Sequence, residues 1–191
     1  MLEDYDSMSN EKIKTITRLG MLAAVSVVLA SLIHFPLFPA ASFLVYDPAD
    51  IPILLSAFLY GPAAGVAVTF IVSVIQGLTV SAEGRVIGII MHFVATSAFC
   101  IVASLIYRRK KDVKHLIIGL VMGALAMTVL MCGMNLLLTP LYTGMSVSAV
   151  AGMIVPIILP FNLLKAGINA VVTFLLFLPL RNALSKAETN N

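Results

Sequence analysis

Long apolar segments dominate the pattern of hydrophobic and polar positions along the chain. Five segments are almost free of charged residues, and none alternates between apolar and polar positions as a half-buried strand would. A segment that crosses a bilayer must be a helix or part of a closed barrel, because lipid offers no water to backbone groups. Apolar runs of this length exclude the barrel, so the sequence predicts an all-α integral membrane protein. The segments are residues 19–33, 63–75, 86–106, 116–138 and 155–180.

Turn-forming residues divide the chain into six predicted transmembrane helices. Pro36 and Pro39 follow the first helix, and Gly61-Pro62 separates the second from the third. The second is short, so we expect it to be tilted or to span only part of the bilayer. The predicted helices cover about residues 14–33, 50–60, 63–78, 86–107, 114–141 and 155–180, in one transmembrane domain at 14–182 between polar tails at 1–13 and 183–191.

Composition agrees with this class of protein and narrows the functions. The 191 residues are 60% hydrophobic and 11% charged, whereas soluble domains carry about 25% charged residues. A net charge of +3 does not indicate nucleic-acid binding, because the basic residues follow the positive-inside rule of membrane proteins. We therefore expect a multi-pass protein of the cell membrane, surrounded by lipid.

The basic residues also predict the orientation of the helices. Most of them occupy the N-terminal flank, the connection between helices 4 and 5, and the C-terminal flank. With six helices, these three places lie on one side of the membrane, so both termini are predicted to be cytoplasmic. These residues are Lys12, Lys14, Arg18, Arg108, Arg109, Lys110, Lys111, Lys114, Arg181 and Lys186.

One cation interrupts the last apolar segment. Lys165 has no acidic neighbour in the sequence, and Asn162 precedes it by three residues on the same helical face. A charged group at membrane depth usually faces a cavity or a partner. The pair indicates a binding site for a polar ligand; the alternative is a lysine that extends towards the interface and an asparagine that bonds a neighbouring helix.

Other polar residues are predicted to lie at a similar depth. Asn135, Asn162 and Lys165 fall roughly 9 to 15 Å from the outer ends of helices 5 and 6, and Asp47 and Asp50 precede helix 2 in an outer loop. Together they predict a cavity open to the outside for a small molecule with an apolar part and several hydrogen-bonding groups. The aspartates have simpler roles open to them, in a turn and as a helix cap. Glu83, in another outer loop, is a further candidate for capping the cavity.

Small residues four positions apart form a second feature. Gly20 and Ala24 make such a pair in helix 1, and this spacing lets another helix approach closely. We expect either intramolecular packing or docking on a separate membrane protein. The two cysteines, Cys100 and Cys132, lie in apolar segments and are interpreted as packing residues.

Motifs for catalysis and nucleotide binding are missing from the sequence. It contains no G-x-x-x-x-G-K-[ST] phosphate loop, no H-E-x-x-H zinc motif and no G-x-S-x-G nucleophile motif. We therefore predict no catalytic residue, no metal site and no cofactor, and expect a transport subunit rather than an enzyme. A carrier driven by an ion gradient would be expected to embed a carboxylate in the membrane, and we expect none at that depth.

Several short motifs resemble one family of membrane proteins. They are YDPADIP at 46–52, YGPAAG at 60–65, MN at 134–135, PLY at 140–142 and ILPFNLLK at 158–165. In this order the chain resembles the substrate-binding (S) components of energy-coupling factor (ECF) transporters, most closely the riboflavin-specific ones. It departs from that pattern at the end of helix 3, where SVIQ at 73–76 stands in place of a Lys-Asn pair.

The resemblance implies a function and a set of partners. Such a subunit captures riboflavin from outside at high affinity and couples to a transmembrane protein and two ATPase subunits. It implies that Asn135, Asn162, Lys165 and the loop with Asp47 and Asp50 bind the vitamin. It also implies that Gly20 and Ala24 dock on the transmembrane partner. The alternatives are an S component for another vitamin or precursor, and a stand-alone secondary carrier.

Overall fold

The computed structural model describes residues 2–79 and 85–189, and it is a bundle of six helices. The first five are α1 (Leu2–Leu32), α2 (Asp50–Tyr60), α3 (Pro62–Thr79), α4 (Arg85–Arg108) and α5 (Val113–Thr143). The sixth is continuous but has three parts: α6 (Val147–Met153), a π-helical turn (Ile154–Ile158) and α7 (Leu159–Thr189). The prediction of an all-α membrane protein with six helices is confirmed. Within the described ranges, five helices are long and apolar enough to cross a membrane.

The two terminal helices are longer than the sequence pattern predicts. Helix α1 begins at Leu2 rather than near residue 14, and α7 continues to Thr189 rather than ending near residue 180. Neither extension contains proline or glycine, so nothing in the chain breaks the helix where the apolar pattern ends. Hydrophobic periodicity thus locates the part of a helix that meets lipid, not its full length.

Helix α2 is short and lies inside the bundle. Its 11 residues reach about 16 Å, roughly half of a bilayer core. Nine consecutive residues from Asp50 to Phe58 are buried, so other helices surround α2 on all sides. Gly61 ends it with a φ of 107°, which favours glycine, and Pro62 begins α3 immediately afterwards. The expectation of a partly spanning second helix agrees with this length.

The connection between α1 and α2 is a folded hairpin rather than the simple loop that the sequence predicts. Strand β1 (Phe35–Pro36) pairs with β2 (Val45–Tyr46) antiparallel, and a 3-10 turn (Pro39–Ala41) lies between them. The rings of Phe35 and Tyr46 contact each other across the pair, with centroids 5.5 Å apart and planes tilted by 49°. Strands of two residues leave no period-two pattern to detect, which explains why the sequence does not reveal them.

Helices α4 and α5 pack closely because glycine removes side chains from their contact. A Cβ on Gly119 would lie 2.5 Å from the Ala103 carbonyl oxygen, and one on Gly123 would overlap the Phe99 ring. The pair of Gly119 and Gly123 therefore serves packing within the chain. At its first turn, α5 is capped by the Asp112 side chain, which accepts a hydrogen bond from the His115 N–H at 2.7 Å.

The start of the sixth helix was predicted too late. Ser146 caps α6 by accepting a hydrogen bond from the Ala149 N–H at 3.2 Å, so helix begins inside the predicted loop at 142–152. The π turn that follows contains Pro156, and its last residue, Ile158, packs with Val150, Leu44 and neighbouring apolar residues. This cluster fixes the sixth helix against the hairpin.

Candidate functional site

A cavity of about 430 Å³ lies at the end of the bundle that carries the hairpin. Residues of α1, α3, α4, α5 and α7 line it together with the hairpin. Its wall combines apolar, amide and charged side chains. They are Ala30, His34, Ser42, Phe43, Leu44, Val45, Asp47, Ser73, Gln76, Gly77, Gly88, Met91, His92, Met127, Met131, Asn135, Tyr142, Phe161, Asn162 and Lys165.

Two carboxamides on neighbouring helices line the cavity. On α5, Asn135 donates to the Met131 carbonyl at 2.8 Å and accepts from the Thr139 hydroxyl at 2.8 Å. On α7, Asn162 donates to the Ile158 carbonyl at 2.8 Å, and its buried Oδ1 has no hydrogen-bond partner. An unpaired buried acceptor costs roughly 1 to 3 kcal/mol. The Asn162 oxygen is therefore an acceptor for which a ligand donor would restore the lost bond.

The buried cation has an anionic partner that the sequence does not reveal. Lys165 is 7% exposed, and its ammonium donates to Asp47 Oδ2 at 2.6 Å. The other oxygen of Asp47 accepts from the Ala49 N–H at 3.1 Å, which orients the carboxylate at the end of the hairpin. An ammonium has three donors, so the pair with Asp47 leaves further donors for a ligand.

Asp50 lies behind the cavity wall, not in the outer loop where the sequence placed it. It is in the first turn of α2, is 0% exposed and does not line the cavity. The hydroxyl of Thr96 donates to its Oδ1 at 2.9 Å, and the amide of Asn169 donates to its Oδ2 at 3.1 Å. The expectation that no carboxylate is embedded among the helices is therefore wrong for Asp50. Asp50 therefore holds residues of neighbouring helices through hydrogen bonds and does not contact the cavity itself.

The cavity also has polar residues that sequence reasoning missed. His92 of α4 lines the wall together with Ser73 and Gln76 of α3. Asn169, which was not singled out, lies behind the wall rather than in it; it follows Asn162 and Lys165 at the spacing of one helical face, and the Tyr46 hydroxyl donates to its Oδ1 at 3.2 Å. That spacing was the available signal for Asn169. His92 and Ser73 give none, because their contact joins different helices.

The small-residue pair of α1 faces away from the bundle. Gly20 and Ala24 are both exposed, and no atom lies within 4 Å of a Cβ built on Gly20. By contrast, Gly65 packs against Ala57 and Cys100. The Gly20–Ala24 pair on α1 therefore leaves an open, flat helix face. Glu83 lies outside the described residues.

The arrangement suits recognition of a small molecule. The amides, hydroxyls and ion pair are distributed among apolar side chains, which is the usual composition of a ligand cavity. Within residues 2–79 and 85–189, no group of His, Cys, Asp and Glu side chains is arranged to hold a metal ion. The cavity can bind a molecule that has both an apolar surface and several hydrogen-bonding groups.

Comparison with known proteins gives consistent matches over most of the chain. Residues 14–177 match the family model for the ECF transporter, substrate-specific component. The riboflavin transporter FmnP of Bacillus subtilis (strain 168) is 33% identical over 178 residues, covering 89% of this chain and 93% of FmnP. The riboflavin transporter RibU of Staphylococcus aureus (strain TCH60) is 32% identical over 180 residues, covering 91% and 93% of the two chains.

A solved structure shares the fold. The chain described in "Structure and mechanism of the S component of a bacterial ECF transporter" superposes with a TM-score of 0.78 at 32% identity. The match covers 91% of this chain and 98% of that one. A family match over most of the residues, together with relatives of this similarity, shows that this multi-pass cell-membrane protein belongs to the substrate-specific components of ECF transporters.

Proposed function

We propose that this chain is the riboflavin-binding subunit of an ECF-type vitamin importer. It captures the vitamin in the cavity at the hairpin end of the bundle, which lies in the outer half of the membrane. Asn135, Asn162 and Lys165 are the ligand contacts, and Asp47 orients the lysine. A transmembrane coupling protein and two ATPase subunits supply the energy for transport.

The observation that carries this proposal is the unpaired Oδ1 of Asn162 in the same cavity wall as the Lys165 ammonium. Riboflavin offers hydroxyl donors along its side chain, carbonyl acceptors on its ring and a flat apolar surface. The amide acceptor and the ammonium donors match the first two, and Phe161, Met127 and Met131 offer apolar contact to the ring. The volume of about 430 Å³ falls in the range of roughly 300 to 1,000 Å³ found for small-molecule cavities.

A titration with riboflavin tests the ligand. The purified protein is expected to quench flavin fluorescence saturably and with a stoichiometry of one. Thiamine and biotin serve as competitors of different shape, and neither should displace the flavin. If another vitamin binds saturably and riboflavin fluorescence is not quenched, the ligand is that vitamin and the chain is still the binding subunit of a vitamin importer.

A secondary carrier is the second candidate, because Asp50 is a carboxylate buried among the helices. Against it, Thr96 and Asn169 already donate hydrogen bonds to Asp50, and His92 Nε2 lies 3.3 Å from the same carboxylate. Vesicles that contain this chain alone should bind the vitamin but not accumulate it under a proton gradient. Accumulation should require the coupling protein, both ATPase subunits and ATP. Uptake by the chain alone would favour the carrier.

A further inference from the structure

A second polar region of the cavity wall lies on α3 and α4, apart from the carboxamides and lysine of α5 and α7. Ser73 and Gln76 are one turn apart on α3, and both line the cavity. His92 of α4 contacts Ser73, with its Nδ1 2.7 Å from the serine Oγ. Ser73 is only 1% exposed, so its hydroxyl belongs to the packed wall rather than to the open mouth.

The contact of His92 Nε2 with Asp50 indicates which nitrogen of the ring carries a proton. Its Nε2 lies 3.3 Å from Asp50 Oδ1, and the same carboxylate accepts hydrogen bonds from Thr96 and Asn169. A carboxylate surrounded by donors acts as an acceptor, so Nε2 carries a proton.

A neutral His92 ring fits both contacts. A charged imidazolium would hold the carboxylate at about 2.7 to 2.9 Å, whereas the Nε2 distance is 3.3 Å. With Nε2 protonated, Nδ1 of a neutral ring is an acceptor, and the contact of 2.7 Å fits the Ser73 hydroxyl as its donor. Lys165 and Asp47 are the other charged groups near this region, and they pair with each other. Ser73 therefore donates its hydrogen bond to His92 Nδ1.

A serine whose hydroxyl hydrogen points at histidine presents only lone pairs to the cavity. We propose that Ser73 is a further ligand contact that accepts a hydrogen bond from an N–H or O–H of the bound molecule. Asp50 is the positioning residue, because it holds the His92 tautomer that fixes this polarity. The assignment rests on the proposed function and deepens it: the wall selects ligands that carry a hydrogen-bond donor at this point.

Removal of the Ser73 hydroxyl tests the contact. Ser73→Ala should raise the Kd for riboflavin about 3- to 10-fold, as loss of one hydrogen bond does. Ser56→Ala is the matched control, since Ser56 is also buried but bonds the Ile53 carbonyl of its own helix at 2.6 Å and lies away from the cavity. If Ser73→Ala binds as tightly as the control, the contact is refuted.

Flavin analogues identify which hydrogen-bond donor of the flavin Ser73 accepts from. 3-Methylriboflavin lacks the ring N–H, and lumiflavin lacks the chain hydroxyls. If Ser73 accepts from the ring, Ser73→Ala weakens riboflavin and lumiflavin but not 3-methylriboflavin. If it accepts from the chain, the substitution weakens riboflavin and 3-methylriboflavin but not lumiflavin. An equal loss for all three flavins would indicate a general packing defect and overturn the assignment.

The positioning role of Asp50 is tested by a ratio of affinities. The ratio compares riboflavin with the analogue that lacks the hydrogen-bond donor contacted by Ser73. Asp50→Asn frees the histidine from one tautomer, so the hydroxyl of Ser73 can also donate and the preference should fall towards that of Ser73→Ala. His92→Leu provides the same measurement if the first variant does not fold. A merely structural role would weaken all ligands and leave the preference unchanged, which would overturn this part.

The two levels of the assignment fail differently. Absence of riboflavin binding by the wild-type protein would refute the proposed function together with the role of Ser73. Tight binding by the wild type with no effect of Ser73→Ala would refute the Ser73 contact alone.

Discussion

At the scale of single residues, Lys165 and Asp47 form an ion pair in the cavity wall. We expect Lys165→Met to weaken riboflavin binding at least tenfold, or about 1.4 kcal/mol, because hydrogen bonds from charged groups contribute about 1.5 to 3 kcal/mol. Lys186→Met, an exposed position on the same helix, is the control and should not change the affinity. Fluorescence titration measures both, with the thermal transition as a check of folding.

The companion variant Asp47→Asn separates the cation from its partner. It keeps the ammonium and a side-chain oxygen near the Ala49 N–H, so its loss of affinity should be clearly smaller than that of Lys165→Met. Equal losses would show that the carboxylate contributes to ligand binding as much as the lysine.

The sequence identifies polar residues of the cavity wall where a polar side chain interrupts an apolar helix. Asn135, Asn162 and Lys165 stand out for this reason, and the structure brings all three to one cavity with Asp47. It does not predict the Lys165–Asp47 contact, whose partners are 118 positions apart. Nor does it show that Asp50 is buried, since burial there results from α2 being enclosed by other helices. Long-range pairing is thus the part that a single sequence leaves open.

At the scale of helices, the contact between α4 and α5 depends on the missing side chain at Gly119. Gly119→Ala should destabilise the protein by about 1 to 3 kcal/mol, because the added methyl meets the backbone of Ala103, which cannot rotate away. Gly133→Ala is the matched control on α5, where no atom lies within 4 Å of the added methyl. Thermal unfolding in detergent compares the two, and equal transitions would contradict the packing role.

The open face of α1 gives a different expectation for its glycine. Gly20→Leu should leave riboflavin affinity unchanged but prevent assembly with the coupling protein, since a large side chain keeps a second helix at a distance. Gly152→Leu, also exposed and without neighbours, should assemble normally. Co-purification of the complete transporter measures the difference, and normal assembly of Gly20→Leu would rule out docking at this face.

Helix identity was predictable to a greater extent than helix ends. Apolar runs and turn-forming residues together reveal all six helices, but the polar continuation of α1 and the early start of α6 lie beyond those runs. The π turn has no hydrophobic signature, because a wider turn changes the angle between residues rather than their polarity. The two-residue strands of the hairpin are too short for any periodic pattern.

At the scale of the whole molecule, the cavity and the basic connection between α4 and α5 lie at opposite ends of the bundle. At the basic end, Arg181 donates to the Tyr107 hydroxyl at 3.2 Å and to the Lys111 carbonyl at 3.3 Å, which joins α7 to that connection. The positive-inside rule then predicts a cytoplasmic basic end and an external cavity.

Cysteine labelling tests this orientation. In a background with Cys100 and Cys132 replaced by serine, a membrane-impermeant maleimide should label Ser146→Cys on intact cells. Lys110→Cys should react only after the cells are opened. Both positions are exposed in the structure, so the comparison depends on sidedness alone. The reverse pattern would place the cavity on the cytoplasmic side.

The π turn at Ile154–Ile158 sets the rotational phase between the two halves of the sixth helix. Each α-helical residue advances the helix by about 100°, so deletion of one residue there would rotate α6 against α7 by about that angle. Val150 would then leave its apolar cluster, or Asn162 and Lys165 would turn from the cavity towards lipid. With the irregular turn, one helix directs Val150 into the apolar cluster and Asn162 and Lys165 into the cavity wall. A regular helix of the same sequence would place these two faces at a different angle to each other.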